Sequence, residues 1–458
     1  MTHPTQQLAH FIAGLTYEDL PPEVVSTTKD YIVDYYAAAL AGIRVNEAFN
    51  RAMEDVIFSM GGKEEASVLC SDRRLPVAEA AYMNAIYAHG ADMDDGNRKA
   101  MGHVAAHVMS AVFALAESLT VSGKDVMVAI NAGYEVYNRI AAAVQPGLAR
   151  RGFHSTGTAG SVACGAACAK LLGLDEHGIY NAMSLAAIQA SGLLIITESG
   201  QACKPINPAN AARAGVLSAY LAARGIEAPV YPLESKKGWL HAMADEVDES
   251  EITETLGKSF TICESYLKPY PSCRHTHPGI ECATALRRML LEKYGRVSVE
   301  DIDCIEIYLY KNAINIAGQV VIPKTSEESK FSIHYALATA LLKGHFDLDD
   351  LPVENVTDEI RALINKIAFV EDESMENRKA GIRGSRVLVK AQDGEEMTHT
   401  VLIPKGDAAN PMTRVELLAK LRACAGDVLS PDRQDALLSQ VGGFDEIPTY
   451  ESVNALIR

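Results

Sequence analysis

The feature that most constrains this chain is its first half, where one helical pattern follows another and small residues fill them. Pro21-Pro22 open a segment over 24–42 with apolar residues at helical spacing and Gly42 at its end. Further helical patterns run over 75–89, 104–119, 125–144, 158–172 and 175–189, the fourth closed by Gly173. Asn207-Pro208 supplies an N-cap and a first-turn proline for 209–223, with Gly225 just past its end. Alanine, glycine and serine dominate these segments. Small side chains let helix axes approach closely, so a thick helical core is expected.

The character changes near Thr261. The β-branched and aromatic stretch 304–310 reads as a strand. Stretches 385–391 and 398–403 read as a hairpin turning at Gln392-Asp393-Gly394. Helical patterns intervene at 280–294 and 332–343, and return after Pro404 at 413–424 and 431–440. The expected architecture is therefore mainly α with a second α+β domain. A large all-helical domain takes both chain ends, 1–265 and 405–458, and a smaller α+β lid domain, 266–404, is inserted. With 458 residues, 48% hydrophobic and 22% charged, the chain can bury a sizeable core and is not disordered.

A formal net charge of −17 argues against non-specific nucleic-acid binding, which needs basic surface. No stretch reaches the ~18 apolar residues of a membrane span, and residues 1–15 lack the basic and apolar blocks of a signal peptide. Nine scattered cysteines fit no disulfide framework. Cys164 and Cys168 sit among small residues and are expected in buried helix packing. A cytoplasmic protein with neither membrane nor nucleic-acid partner is expected.

Four polar clusters break the helical pattern. The first runs from His89 through Asp92, Asp94, Asp95 and Gly96 to Arg98, Lys99 and His103, more charge than one helix cap needs. The second is a turn, Gly152-Phe153-His154-Ser155-Thr156-Gly157, that opens a small-residue helix. Its free N–H groups suit a carboxylate, and its spacing matches neither a P-loop nor a dinucleotide fingerprint. The third holds Lys204 just ahead of a helix start, where a cation opposes the helix dipole and implies a partner or a task. The fourth is the proline-stiffened run Lys268-Pro269-Tyr270-Pro271-Ser272-Cys273-Arg274-His275-Thr276-His277, at the junction of the two architectures. His103 and His107 have possible zinc spacing and His275-x-His277 could add ligands. Without HExxH or paired C-x2-C, no metal is expected. Cys273 beside a histidine carries no triad signature.

These clusters carry a resemblance over essentially the whole chain. HGADMDDG, GHVAAHVMSAVFALAE, GFHSTGTAGSVACGAACAKLLGL, KPINPANAARAGVLSAYLAARGIEAP, YLKPYPSCRHTHPGIECA and FSIHYALATALLKG occur in the order of the 2-methylcitrate dehydratase (MmgE/PrpD) family. That family also includes cis-aconitate decarboxylase and iminodisuccinate epimerase. The resemblance implies a homodimer, no organic cofactor or metal, and a small di- or tricarboxylate substrate. It implies proton abstraction beside a carboxylate, followed by loss of water or carbon dioxide, or by reprotonation on the opposite face. By the same resemblance Asp92, His103, His154, Lys204 and Lys268 are the catalytic set. His154 or His103 would move the proton and the lysines would hold carboxylates, or Lys268 would itself act in acid–base chemistry. Asp95, Arg98, Ser155, Thr156, Cys273, Arg274 and His275 are expected to contact substrate. Gly96 stands where decarboxylase- and dehydratase-like members carry threonine, and Cys273 where a decarboxylase-like member carries histidine. The expected reaction is elimination of water from a hydroxy di- or tricarboxylate, with an epimerase as the alternative. A cis-aconitate-type decarboxylase and a non-catalytic helical scaffold rank below both.

Overall fold

The computed structural model describes residues 3–197, 200–377, 380–454 and 456–457. Its chain divides into two compact units, one of Met1–Leu267 with Thr413–Arg458 and one of Lys268–Met412. The first is helical apart from two-residue strand pairs, and the second mixes helices with a sheet. This is the mainly helical chain with an α+β part that the residue pattern predicts.

The core of the first unit is the Ser155–Leu171 helix, in which every residue except Lys170 is buried. The helices Ala105–Glu117, Gly123–Ala143, Glu176–Ala187 and Ile206–Ala223 pack around it. An amphipathic stripe would be the wrong pattern for such a helix, because no face meets water. Its run of Ser, Thr, Ala, Gly and Cys allows neighbours to close in from all sides. At Gly215 an added Cβ would lie 2.1 Å from the Cys164 Cβ. The two cysteines at 164 and 168 are buried thiols in this packing, as expected, and burial pushes both thiol pKa values up.

Gly42, expected to end its helix, lies inside Pro22–Arg44 instead. A Cβ there would meet the Tyr87 carbonyl oxygen at 1.8 Å, so this glycine marks a crossing with the Val77–Gly90 helix and not a cap. Asn207, expected as an N-cap, is already within the Ile206–Ala223 helix. Its amide is used elsewhere, as described below. Among the described residues no helix is long and apolar enough to cross a membrane.

The chain's two ends meet within this unit at the loop that follows the Val77–Gly90 helix. Lys420, on the C-terminal Arg414–Ala425 helix, donates to Asp34 at 2.5 Å and to the Met93 carbonyl at 2.7 Å. Gly96–Asn97 pairs antiparallel with Ser265–Tyr266 on the far side of the same loop. Asp92 and Met101 both take the left-handed backbone conformation, at φ of 53° and 52°. That conformation is uncommon outside glycine and holds only where surroundings enforce it.

The second unit carries a four-stranded sheet in the order Glu396–Val401, Ser385–Ala391, Ile302–Leu309, Ile367–Glu371. The first two pairings are antiparallel and the last is parallel. The hairpin turns through Gly394 at φ 85°, a conformation that glycine adopts without steric cost. Alternate residues of Ser385–Ala391 are buried under the His277–Tyr294 helix, which packs against Ile333–Lys343.

Candidate active site

The first unit gathers His89, Asp92, Asp94, His103, His154 and Lys204 into one buried cluster. The last turn of Val77–Gly90 brings His89, the loop after it brings the aspartates and His103, the residue before Ser155–Leu171 brings His154, and the turn before Ile206–Ala223 brings Lys204. The Lys204 ammonium donates to Asp92 Oδ1 in a short ion pair. The sequence placed this cation where a helix dipole disfavours it, and Asp92 is the partner that the misfit implied.

His103 is set by its neighbours. Its backbone N–H donates to Thr156 Oγ1 at 3.2 Å, and its Nδ1 lies 2.7 Å from the Asp95 carbonyl oxygen. A carbonyl only accepts, so Nδ1 carries the proton. The lone pair that a neutral ring carries is then on the second nitrogen, Nε2, which stands 3.9 Å from Asp92 Oδ1. His154 is arranged the other way round. Its Nδ1 lies 3.0 Å from Asn207 Nδ2, and the same Nδ2 donates to the Leu193 carbonyl at 3.2 Å. Burial, with the Lys204 charge adding to it, drives the His154 pKa well below the usual imidazole range. It stays neutral.

His89 supports the cluster from below. Its Nδ1 donates to Asp94 Oδ2 at 2.8 Å, and His103 Nδ1 stands 3.3 Å from the same oxygen. Burial lowers the His89 pKa to about 4, the Lys204 charge helping and Asp94 opposing. For Asp94, burial pushes upward, but the two histidines outweigh it and hold the carboxyl well below its ordinary value. Asp95 has a different task. Its Oδ1 accepts the N–H groups of Val104 and Ala105 at 3.1 and 2.8 Å, and its Oδ2 accepts the Tyr134 hydroxyl at 2.7 Å. It caps the Ala105–Glu117 helix, while burial, then the neighbouring Asp94 charge, raises it to about 7.

Ser155 and Thr156 are likewise engaged by protein. Ser155 Oγ donates to the Met101 carbonyl at 3.0 Å and accepts from Tyr137 at 3.2 Å. Together with Thr156 they pin the turn at Gly102, where a Cβ would lie 2.4 Å from Ser155 Oγ. Arg98 is half-buried on the same loop, and its neighbour Lys99 reaches Glu264 at 3.1 Å. The His103/His107 zinc pairing does not form. His107 stands against the Tyr137 ring and Gly160, outside the group of His89, Asp92, Asp94 and His103 whose ligand atoms lie within 4.8 Å of one another. In that group the Lys204 ammonium already sits on Asp92 and the imidazole N–H groups already serve Asp94 and Asp95.

The second unit carries the remaining predicted residues. Lys268 is fully buried. Arg274 donates to the carbonyls of Lys405 and Pro404 at 2.8 and 3.1 Å and to His277 Nδ1 at 3.0 Å. His277 Nε2 in turn donates to the Ser272 carbonyl at 3.2 Å. Cys273 N–H donates to the Lys330 carbonyl at 2.9 Å. His275 makes a short hydrogen bond with Tyr310. Burial, then the charges of Arg383, Lys268 and Arg274, brings its pKa to about 3.

Three residues of the site lie outside the set that the sequence singles out for chemistry. His89 and Asp94 were visible within the aspartate motif but offered no signal that they would pair. Asn207 has the residue type and position of a cap, which hides its contact with His154.

An N-terminal helical unit with a buried acid–imidazole–ammonium cluster and a C-terminal α+β unit define a two-domain class that known proteins share. The MmgE/PrpD N-terminal domain matches residues 6–251 and the MmgE/PrpD C-terminal domain residues 270–443. The chain belongs to the MmgE/PrpD family. It is 28% identical to a cis-aconitate decarboxylase of Aspergillus terreus, covering 99% of this chain and 96% of that one. It is 28% identical to the cis-aconitate decarboxylase-like protein oryM of Aspergillus oryzae, over 99% and 97%. The human cis-aconitate decarboxylase is 24% identical over 99% and 94%.

Proposed function

We propose that the chain is a cofactor-independent lyase that removes a proton beside a carboxylate of a small hydroxy di- or tricarboxylate and eliminates water. The opposed arrangement of His103 and His154 carries this reading. The bare Nε2 of His103 is a base able to accept the proton. The Asp92-paired Lys204 offers a cation for a carboxylate or for the charge that develops when the proton leaves. His154 is too strongly held neutral to act as an imidazolium acid, so it serves as a neutral hydrogen-bond donor to that developing oxygen charge. The protonated His103 can then return its proton to the departing hydroxyl. An epimerase needs a second base on the opposite face, and a histidine presenting N–H is not one. Asp95, Ser155 and Thr156 are read as groups that position His103 and the loop, and Lys268 as a second carboxylate-binding cation.

A second reading, decarboxylation, is favoured by the names of the relatives. There His103 would work as the acid, delivering a proton to the carbanion left by carbon dioxide. Proton NMR in D2O with citrate, 2-methylcitrate, tartrate, malate, cis-aconitate and iminodisuccinate separates the readings. A new olefinic signal from a hydroxy-acid without release of carbon dioxide is expected. Carbon dioxide release from cis-aconitate would establish the second reading. Loss of an α-proton signal with no olefin would make the protein an epimerase and overturn both.

A further inference from the structure

Asn207 has no part in the chemistry described so far, yet its amide is held from several sides. Nδ2 is within hydrogen-bond distance of the Leu193 carbonyl and of His154 Nδ1, at 3.2 and 3.0 Å. The Leu193 oxygen fixes which way the amide faces. Turned over, Asn207 would set its own oxygen against that carbonyl, two acceptors with no proton between them. The N–H pair therefore points at Leu193 and His154 together, and His154 Nδ1 must be the acceptor. The one proton of a neutral imidazole is then on Nε2.

The surroundings hold this arrangement in place. Residues 192–194 run alongside 152–154. His154 N–H donates to the Gly192 carbonyl at 3.0 Å, and Leu194 N–H to the Gly152 carbonyl at 2.8 Å. The same pairing that fixes the His154 backbone thus fixes the Leu193 oxygen. Gly192, at φ 135°, and Gly157 form the walls. A Cβ on either would come within 3.3 and 3.4 Å of the Asn207 side chain. An imidazolium would aim an Nδ1–H at the amide N–H, so the contact opposes protonation as well as the other tautomer. Water alone gives only a weak preference between the two neutral tautomers of imidazole, whereas this contact permits one.

We propose that Asn207 is a positioning residue that holds His154 in the Nε2–H tautomer, so that a fixed N–H donor is presented to the substrate. The tautomer itself follows from the contacts. Its consequence for turnover rests on the role given to His154 above.

The test is long-range 1H–15N NMR of the full chain labelled with 15N-histidine, with His154 assigned by its disappearance in H154Q. The unmodified protein is expected to show a single Nε2–H tautomer at His154 across neutral pH. A mixture of tautomers, or Nδ1–H, would overturn the proposal, and this holds whether or not N207D folds. In N207D a carboxylate faces Nδ1, so the proton is expected to move there, and kcat to fall roughly 10- to 100-fold with KM changing little. Retention of the Nε2–H pattern in folded N207D would also overturn it. If the tautomer shifts as expected while no substrate of the panel reacts with the unmodified protein, the positioning role stands and the lyase reading fails.

Discussion

The six buried residues of the cluster divide their work by the partner each takes. His103 gives up Nδ1 to the Asp95 carbonyl and keeps Nε2, so His103→Gln is expected to lower kcat about 10²- to 10⁴-fold. Stability should change by about 1 kcal/mol or less, because Gln can still fill the space. Normal turnover in a folded His103→Gln variant would remove His103 as the base. Lys204 makes a different prediction. Its side chain and that of Asp92 are 9% and 4% exposed, so the pair is effectively buried. Taking one partner from a buried pair costs about 3–5 kcal/mol, since the remaining charge keeps its desolvation penalty. Lys204→Met should therefore lose stability as well as activity. Adding Asp92→Asn should restore most of the stability and none of the turnover, as read by urea unfolding and the NMR assay. If the double variant is no more stable than Lys204→Met, the pair is not the source of the loss.

Elements were legible where a single physical signal set them. The helices around residues 75–89, 104–119 and 125–144 follow from apolar spacing and lie within a few residues of their observed bounds. The strand Ser385–Ala391 follows from alternation and a glycine turn. What failed was the meaning of residues whose partners are remote. Gly42 looks like a helix end and is a crossing, and Asn207 looks like a cap and serves His154. The strand Ile367–Glu371 was missed because it is short and joins the sheet by parallel pairing to Ile302–Leu309, far earlier in the chain. The site was legible as types and order, through the motifs, and illegible as tautomers, which depend on contacts such as Leu193 with Asn207. Glycine packing gives a test at this scale. In a free helix Gly→Ala gains about 1 kcal/mol. At Gly215 the Cys164 Cβ and the Gly165 N, at 2.1 and 2.8 Å from an added Cβ, reverse the sign. Overpacking of this kind costs about 1–3 kcal/mol. Gly442, within Pro431–Gly442 and with nothing within 4 Å of its Cβ position, should accept alanine without loss. Thermal unfolding of the two variants should move in different directions, and equal shifts would contradict close helix packing at Gly215.

At the scale of the molecule, the buried histidines tie stability to pH. In the first unit His89 and His107 are lowered to about 4 and about 3, and His154 is well below its ordinary value, burial being the leading cause in each. A histidine depressed in the folded state is neutral there and protonated in the unfolded chain below about pH 6.5. Its contribution is fully present above 6.5 and is lost as the pH falls toward the folded value. Asp95, raised to about 7, runs the opposite way, since it favours the folded state at low pH and loses that contribution as pH rises through 7. Glu135, also in this unit and raised by burial, runs the same way as Asp95, so three protons on the unfolded side stand against up to two on the folded side between pH 4 and 6.5. At about 1.4 kcal/mol per proton and pH unit, the first unit should lose about 1–3 kcal/mol per unit of acidification. The chain's single tryptophan, Trp239, is buried in this unit, so its fluorescence follows that unit without requiring the whole chain to unfold in one step. Urea midpoints read at Trp239 should fall steeply from pH 6.5 to 5. Replacing His107, whose ring nitrogens have no hydrogen-bond partner among the described residues, with methionine should flatten the slope. A midpoint that holds steady over this range would mean that these imidazoles are already protonated in the folded protein, and His154 could then no longer be the neutral donor that the lyase chemistry requires.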